Sequence, residues 1–295
     1  MTNSSTATSP SRIAAPDADL GRMYCDLGGY RVSVAVVDPD AARSVGDIFR
    51  EFETAAHPDG AGAAPYALER EGESWAVSHA GLVAYRTDAL PDALVALEWQ
   101  LVTDAIAHRR DLFHLHAAAL LSPASPAALV VAGVSGSGKT TLTLGLMTRG
   151  FLPYNDDAAL IDPETCAPAA FRRAFHIDDG TRSLLAGLRA PPAWDFANVP
   201  AGYFRPPRWA EEARPIRTVL FPTLAPGVAP ALIPLTMVDA AARLLPFSAT
   251  LAQSPPLALR TVARIVADAR CYQLVTGDLD QTLDLVAGQV GRDDG

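Results

Sequence analysis

Apolar and polar residues alternate along several short stretches in the first third of the chain, as they do in half-buried β-strands. The stretch YRVSVAVVD at residues 30–38 predicts one strand, and residues 74–88 predict a strand pair joined at a glycine. Between residues 92 and 110 the apolar period becomes helical, and the segment ends in basic residues that suit a helix C-terminus. These elements predict a small α/β region at residues 21–110.

The same alternation of strand and helix patterns continues through the rest of the chain. Apolar runs at residues 112–121 and 127–133 predict strands, and the second leads through a glycine-rich segment into a helix that Gly150 ends. Further elements are predicted as a hairpin after residue 157, helices at 238–248 and 256–270, and a strand at 271–278. This order predicts a larger α/β domain at residues 111–290.

Composition narrows the class of protein. The 295 residues are 49% hydrophobic and 19% charged, which is typical of a globular chain and is enough to bury a sizeable core. The net charge of −9 argues against nucleic acid as a partner, because binding a phosphate backbone usually needs a basic face. No apolar run approaches about 18 residues, so we expect no membrane span.

The cysteines and the N-terminus indicate where the protein works. Cys25, Cys166 and Cys271 are odd in number and far apart, which argues against a disulfide framework and favours a reducing compartment. Residues 1–20 are small, polar and proline-containing, and they lack the order of a signal peptide. We therefore expect a disordered tail at residues 1–20 and a cytoplasmic location.

The glycine-rich segment carries the most specific chemistry. Residues 133–140, GVSGSGKT, satisfy the phosphate-loop pattern G-x-x-x-x-G-K-[ST] between an apolar strand and a helix. Glycines let successive backbone N–H groups point at phosphate oxygens, while Lys139 can reach the β- and γ-phosphates and Thr140 can bind Mg²⁺. The alternative is an ordinary glycine-rich turn. The predicted nucleotide-binding residues are Gly133, Ser135, Gly136, Ser137, Gly138, Lys139, Thr140 and Thr141.

Two carboxylates and a histidine near this loop are candidates for catalysis. Asp156 and Asp157 repel each other unless a cation or a proton separates their roles, so one can hold Mg²⁺ while the other accepts a proton. The alternative for this pair is a solvated turn or a helix cap. His116 lies on the strand-like run before the loop, and His114 shares its face by alternation. A strand histidine of this kind is more often a core residue.

These residues resemble the catalytic domain of HPr kinase/phosphorylase and its relatives. That family has a histidine-bearing strand, a loop of the form G-x-S-G-x-G-K-[ST], an Arg-Gly that closes the next helix, and an Asp-Asp pair. The resemblance covers about residues 110–180. This chain shows the motifs in the same order, as His116-Ala117, the loop from Gly133 to Thr140, Arg149-Gly150 and Asp156-Asp157.

The resemblance implies an ATP-dependent kinase with the phosphoenolpyruvate-carboxykinase-like phosphate-loop fold, acting on a hydroxyl group. By position, Lys139 would bind the β- and γ-phosphates, and Thr140 and Asp156 would hold Mg²⁺. Asp157 would be the general base, and His116 would lie beside the transferred phosphoryl group. Because HPr kinases form hexamers, the resemblance also raises a homo-oligomer as an expectation.

Departures from the family pattern bear on the acceptor. The chain lacks an Ile-Arg-Gly-x-Gly signature, Thr141 stands where an acidic residue is usual, and residues 1–110 differ from the family's N-terminal domain. It looks closer to stand-alone relatives, including kinases that phosphorylate lasso-peptide precursors on a C-terminal serine. A peptide or protein hydroxyl is therefore the expected acceptor. A small-molecule hydroxyl, an HPr-like carrier protein and a regulatory nucleotide-binding module are the alternatives.

Phosphoryl transfer also needs a cation for the charge of the transition state. Arg172 and Arg173 lie on the predicted hairpin, where alternation lets at most one of them face the site. Arg205 and Arg208 lie in GYFRPPRW, a basic and aromatic segment that suits either a substrate-gripping flap or a solvated surface loop.

Overall fold

The computed structural model describes residues 21–55, 63–194 and 202–290, and in it the chain forms two units. Among the described residues, those up to Arg109 belong to the first unit and those from Arg110 onward belong to the second. The predicted tail at residues 1–20 lies outside the described residues. None of the helices described in these three ranges is long and apolar enough to cross a membrane.

The first unit is a five-stranded sheet with two helices. Its sheet order is β1-β2-β3-β4-β5, in which β2 and β3 are parallel and the other neighbours are antiparallel. The strands are β1 (Arg22–Leu27), β2 (Tyr30–Val36), β3 (Ala64–Glu71), β4 (Ser74–His79) and β5 (Leu82–Thr87), and the helices are α1 (Pro39–Phe49) and α2 (Leu90–His108). The predicted strand at 30–38, the pair at 74–88 and the helix at 92–110 are confirmed as β2, β4 with β5, and α2.

The second unit is built on a six-stranded sheet. Its order is β15-β16-β14-β8-β7-β9, and the three strands β16, β14 and β8 run parallel. The strands of this sheet are β7 (Ala117–Leu121), β8 (Ala128–Ala132), β9 (Leu152–Asn155), β14 (Ile216–Leu224), β15 (Ala231–Pro234) and β16 (Arg270–Thr276). All five residues of β8 are buried, as expected for a central parallel strand covered on both faces.

Helices cover both faces of the six-stranded sheet. They are α3 (Lys139–Met147), α4 (Asp179–Ala186), α5 (Met237–Leu244), α6 (Thr250–Gln253), α7 (Pro255–Asp268) and α8 (Leu279–Val290). Consecutive residues along a strand point to opposite faces of the sheet. Accordingly Val130 packs in the core that includes α5 and α7, whereas Val131 packs in the core that includes α3 and α8. The mixed α/β class predicted for the chain is confirmed.

Two smaller sheets complete this unit, and one of them is connected to the large sheet by two chain segments. The smaller sheets have the orders β11-β10-β6 and β12-β13. Their strands are β6 (Phe113–Leu115), β10 (Ala159–Ile161), β11 (Pro168–Ala169), β12 (Phe175–His176) and β13 (Tyr203–Phe204). Strand β6 pairs with β10 in the small sheet, while β7 pairs with β9 in the large one. The chain therefore passes between the two sheets twice, between β6 and β7 and again between β9 and β10.

The described elements correct part of the sequence prediction. The sequence predicts one strand at 112–121, but this run is divided at His116, whose backbone N–H donates to Phe247 O at 2.8 Å instead of joining a ladder. His114 is buried on β6, so the expectation that the two histidines share one continuous strand face is wrong. Helices α4 and α8 were not predicted, whereas the hairpin after residue 157 is present as β10 and β11.

Candidate functional site

The phosphate-loop residues lie between β8 and α3, as their pattern requires. Gly138 has a left-handed backbone with φ of 86°, and it directly precedes α3. A Cβ at Gly133 would lie 2.6 Å from Ser137 Oγ, so any larger residue there would have to displace the Ser137 side chain. A glycine-rich loop that leads directly from a strand into a helix is the arrangement that binds phosphate through its backbone N–H groups.

The ammonium group of Lys139 lies at the mouth of this loop. Its side chain is buried, and Nζ donates to Gly133 O at 2.8 Å and to Val134 O at 3.1 Å. A third neighbour, His116 Nε2, is 3.5 Å away. These carbonyl contacts hold the ammonium group at the loop, where it can reach the oxygens of a bound phosphate.

Thr140 and Asp156 form the predicted metal pair. The Thr140 hydroxyl donates to Asp156 Oδ2 at 3.0 Å, and Asp156 is buried. Burial is the main cause that raises the pKa of Asp156 to about 7, with a further increase from Asp157, while Arg173, Thr140 and Lys139 act in the opposite direction. Oδ1 of Asp156 has no hydrogen-bond partner among the described residues.

An oxygen-rich site with a buried, unpartnered carboxylate oxygen fits a Mg²⁺ ion. Mg²⁺ is usually held by one or two protein carboxylates together with substrate phosphates, and Thr140 and Asp156 supply suitable donors. Over residues 21–55, 63–194 and 202–290, no cluster of three or more His, Cys, Asp or Glu side chains is arranged to hold a metal.

His116 and Asp157 form a pair beside the loop. Nδ1 of His116 lies 3.1 Å from Asp157 Oδ1, and the two side chains are 44% and 41% exposed. When Nδ1 carries the proton and donates to Asp157, Nε2 is left as an acceptor facing Lys139. The histidine thus orients the carboxylate that was predicted as the base.

The pairing of β6 with β10 and of β7 with β9 explains why these residues meet. His116 is the single residue between β6 and β7, and Asp156 and Asp157 follow β9 and precede β10. Since β6 pairs with β10 and β7 with β9, both crossings between the sheets lie next to each other. At such a crossing the backbone leaves its ladder, so side chains can turn toward the phosphate loop.

Arg173 is the candidate cation that the structure brings to this pair. Its Nη2 lies 4.0 Å from Asp157 Oδ2, and its side chain is only 13% exposed. Arg173 follows β11 in the chain rather than lying on the hairpin strand. A largely buried guanidinium keeps its charge, so it can stabilise negative charge that develops next to Asp157.

The segment at 202–209 differs from the predicted flap. Tyr203 and Phe204 are buried, and the rings of Phe204 and Trp209 pack edge-on against Phe175 at 6.5 and 5.8 Å between centroids. These aromatic residues anchor the segment in the core, so they are not available to hold a substrate. Arg208 is exposed on the same segment.

Three further predicted nucleotide-binding residues are Ser135 and Gly136 in the loop and Thr141 on α3. Ser135 and Gly136 are exposed, and the Thr141 hydroxyl is 3.0 Å from the hydroxyl of Thr181 on α4. Sequence reasoning missed the α4 contact because that helix lies about forty residues beyond the loop, with no local motif. The sequence also could not single out Arg173 from the four candidate arginines, because only the tertiary structure brings one of them close to Asp157.

No protein-family model and no curated protein matches this chain.

Proposed function

We propose that this chain is a Mg-ATP-dependent kinase that transfers the γ-phosphoryl group of ATP to a serine-type hydroxyl of a peptide. We further propose that its second unit has the phosphoenolpyruvate-carboxykinase-like phosphate-loop fold. One observation carries the proposal: the His116 ring bridges Asp157 and Lys139, with Nδ1 next to the carboxylate and Nε2 next to the ammonium group of the phosphate-loop lysine. A carboxylate placed there is within reach of an acceptor hydroxyl that approaches the terminal phosphate.

The residues divide the chemistry of transfer among them. The loop and Lys139 bind and orient the phosphates, which supplies most of what phosphoryl transfer needs from a protein. Asp157 takes the proton of the acceptor hydroxyl while the hydroxyl oxygen forms a bond to the γ-phosphorus. The bond from this phosphorus to the β,γ-bridging oxygen breaks, and ADP leaves. Arg173 offsets the charge on the transferring group. Mg²⁺ bound at Thr140 and Asp156 would neutralise phosphate charge.

The exposure of the catalytic pair supports a large acceptor. His116 and Asp157 are both nearly half-exposed, so a side chain on a peptide can reach them from solvent. Enzymes that act on small molecules usually bury most of the ligand surface in a cleft. Within the peptide class, the resemblance described above favours the C-terminal serine of a lasso-peptide precursor.

The test is phosphate transfer measured by intact mass spectrometry. Purified protein with Mg-ATP is offered short peptides ending in serine, HPr and free serine. We expect a gain of about 80 Da, the mass of one phosphoryl group added at the acceptor hydroxyl, on a serine-ending peptide. Asp157→Asn should abolish this gain while ATP binding is largely retained, because the base contributes to transfer and not to phosphate affinity.

A matched control and two outcomes define this test. Asp268→Asn changes a carboxylate on the same unit that is 61% exposed and pairs with Arg217, and we expect it to transfer phosphate normally. Full activity of Asp157→Asn would remove Asp157 from the base role. ATP binding with modification of free serine or HPr alone would replace the peptide by a small molecule or a carrier protein as acceptor.

A further inference from the structure

A crevice opens beside the phosphate loop on the second unit. Its volume is about 290 Å³, close to the lower end of the range of ~300–1,000 Å³ that is usual for ligand pockets. Its walls come from loop residues 136–138, from α4, and from the ends of β14 and β16. The first turn of α8 and the connection that precedes it complete the lining. Ligands of open α/β sheets bind in this place, outside the carboxyl ends of parallel strands.

Two leucines of the crevice are exposed without an evident structural reason. Leu184 on α4 is 54% exposed, and Leu224 at the end of β14 is 66% exposed. Both line the crevice, where Leu142 and Leu279 add further apolar surface. Large apolar side chains that converge on a concave surface are typical of a ligand pocket rather than of ordinary solvent-facing positions.

Most polar groups of the crevice are already hydrogen-bonded within the protein, and its one charged side chain is Asp178, which accepts from the Thr181 backbone N–H; Ser137 Oγ has no partner among the described residues. Thr141 and Thr181 bond to each other, and the hydroxyl of Thr276 donates to Thr223 O at 3.3 Å. Among the described residues that line it there is no Lys, Arg or His. Such walls suit a flat, uncharged group with apolar faces better than a phosphate or a carboxylate.

The position of the crevice separates it from the reacting groups. It is bounded by residues 136–138 and Thr141, whereas its described lining does not include Lys139, His116, Asp157 or Arg173. Lys139 marks the end of the loop where the β- and γ-phosphates lie. When the loop holds a chain of phosphates, a group bound in the crevice is therefore attached at the α-phosphate end and not at the γ-phosphate end.

We propose that this crevice binds the nucleoside of the phosphate donor, with the base packed against Leu184 and Leu224. The inference rests on the proposed function, since it takes the loop to hold the phosphates of a nucleotide. It adds a site that carries affinity for the donor but takes no part in the transfer.

The test compares a ligand that has a nucleoside with one that has only phosphates. Equilibrium binding of Mg-ATP and of Mg-tripolyphosphate is measured by titration calorimetry on the full chain. We expect Leu184→Gln and Leu224→Gln each to weaken ATP binding about tenfold, since each removes apolar contact with the base. Tripolyphosphate should bind within about twofold of the unchanged protein, because its contacts are made by the loop.

Leu259→Gln is the matched control, because Leu259 lies on α7 with 51% exposure and is not among the described residues that line the crevice. It should leave both affinities unchanged. Unchanged ATP affinity in both crevice variants would overturn the inference, and so would a parallel loss of tripolyphosphate binding. If the unchanged protein binds tripolyphosphate as tightly as ATP, the inferred nucleoside site is overturned, while phosphate binding by the loop is retained. Binding of neither ligand would overturn the proposed function as well.

Discussion

Asp156 and Asp157 are adjacent in the chain, yet they lie in different environments. Asp156 is buried beside Thr140, whereas Asp157 is nearly half-exposed and bonded to His116. Burial raises the pKa of Asp156 to about 7. Two carboxylates in contrasting surroundings take contrasting roles, so one is suited to a cation and the other to an acceptor proton.

The buried carboxyl of Asp156 makes the metal-free protein less stable as pH rises. Its pKa is about 7 in the folded chain, compared with about 3.9 for an unperturbed carboxyl. Stability associated with this group is therefore fully present below about pH 4 and is lost as pH rises through about 7. In EDTA, Asp156→Asn should raise the melting temperature by several degrees at pH 8 and by less at pH 5. An equal change at both pH values would contradict the assigned pKa.

Arg173 should contribute to the rate of transfer rather than to nucleotide affinity. Removing a charge that stabilises a transition state commonly lowers kcat by about 10²–10³-fold. We expect Arg173→Gln to show a loss of this size in phosphate transfer, with ATP affinity nearly unchanged. Arg172→Gln changes the neighbouring arginine and should have little effect. Equal losses in the two variants would point to a general effect of charge.

At the scale of elements, α3 and α8 pack so closely that one position requires glycine. A Cβ on Gly145 would lie 2.8 Å from Cδ2 of Leu283, which is fully buried. Because Leu283 has no room to move, Gly145→Ala should destabilise the fold by about 1–3 kcal/mol, although alanine is the better helix former. Thermal or urea unfolding measures this loss.

Gly288 provides the contrast within the same helix pair. It lies on α8, and nothing is within 4 Å of the position that its Cβ would take. Gly288→Ala should therefore stabilise the protein by up to ~1 kcal/mol, since alanine costs less backbone entropy.

A second substitution tests the clash at Gly145. In a Leu283→Ala background the loss of stability from Gly145→Ala should shrink. An undiminished loss there would mean that the clash with Leu283 is not its cause.

Elements differ in how far the sequence can predict them. The phosphate loop is predicted well because its glycines and Lys139 act within eight consecutive residues. The meeting of His116 with Asp157 depends on β6 pairing with β10 and β7 pairing with β9, and no local pattern encodes that pairing. The crevice is harder still, since Leu184 and Leu224 come from elements forty residues or more beyond the loop.

At the scale of the whole molecule, each unit carries a buried thiol. Cys25 lies in the first unit, and Cys166 and Cys271 lie in the second. Burial raises the pKa of Cys25 to about 12 and that of Cys271 to about 11, and it also raises the pKa of Cys166. All three are therefore poor nucleophiles in the folded chain.

Thiol labelling should report on the unfolding of each unit separately. At pH 8 a disulfide reagent should react slowly with the folded protein and quickly with three thiols after denaturation. Peptide mapping at intermediate denaturant then separates opening at Cys25 from opening at the two cysteines of the second unit. Rapid labelling of any cysteine without denaturant would contradict its burial.

The double crossing between the large and small sheets has a consequence for folding order. Strand β6 must find β10, and β7 must find β9, across dozens of intervening residues that include the phosphate loop and α3. Pairings between distant segments form late, because closing a long loop costs entropy before any contact is gained. The loop and its helix are local and can form first, so we expect phosphate affinity to return during refolding before the His116–Asp157 pair is assembled. On the proposed function, we therefore expect a newly made chain to pass through a stage in which it holds a nucleotide before its base is in place.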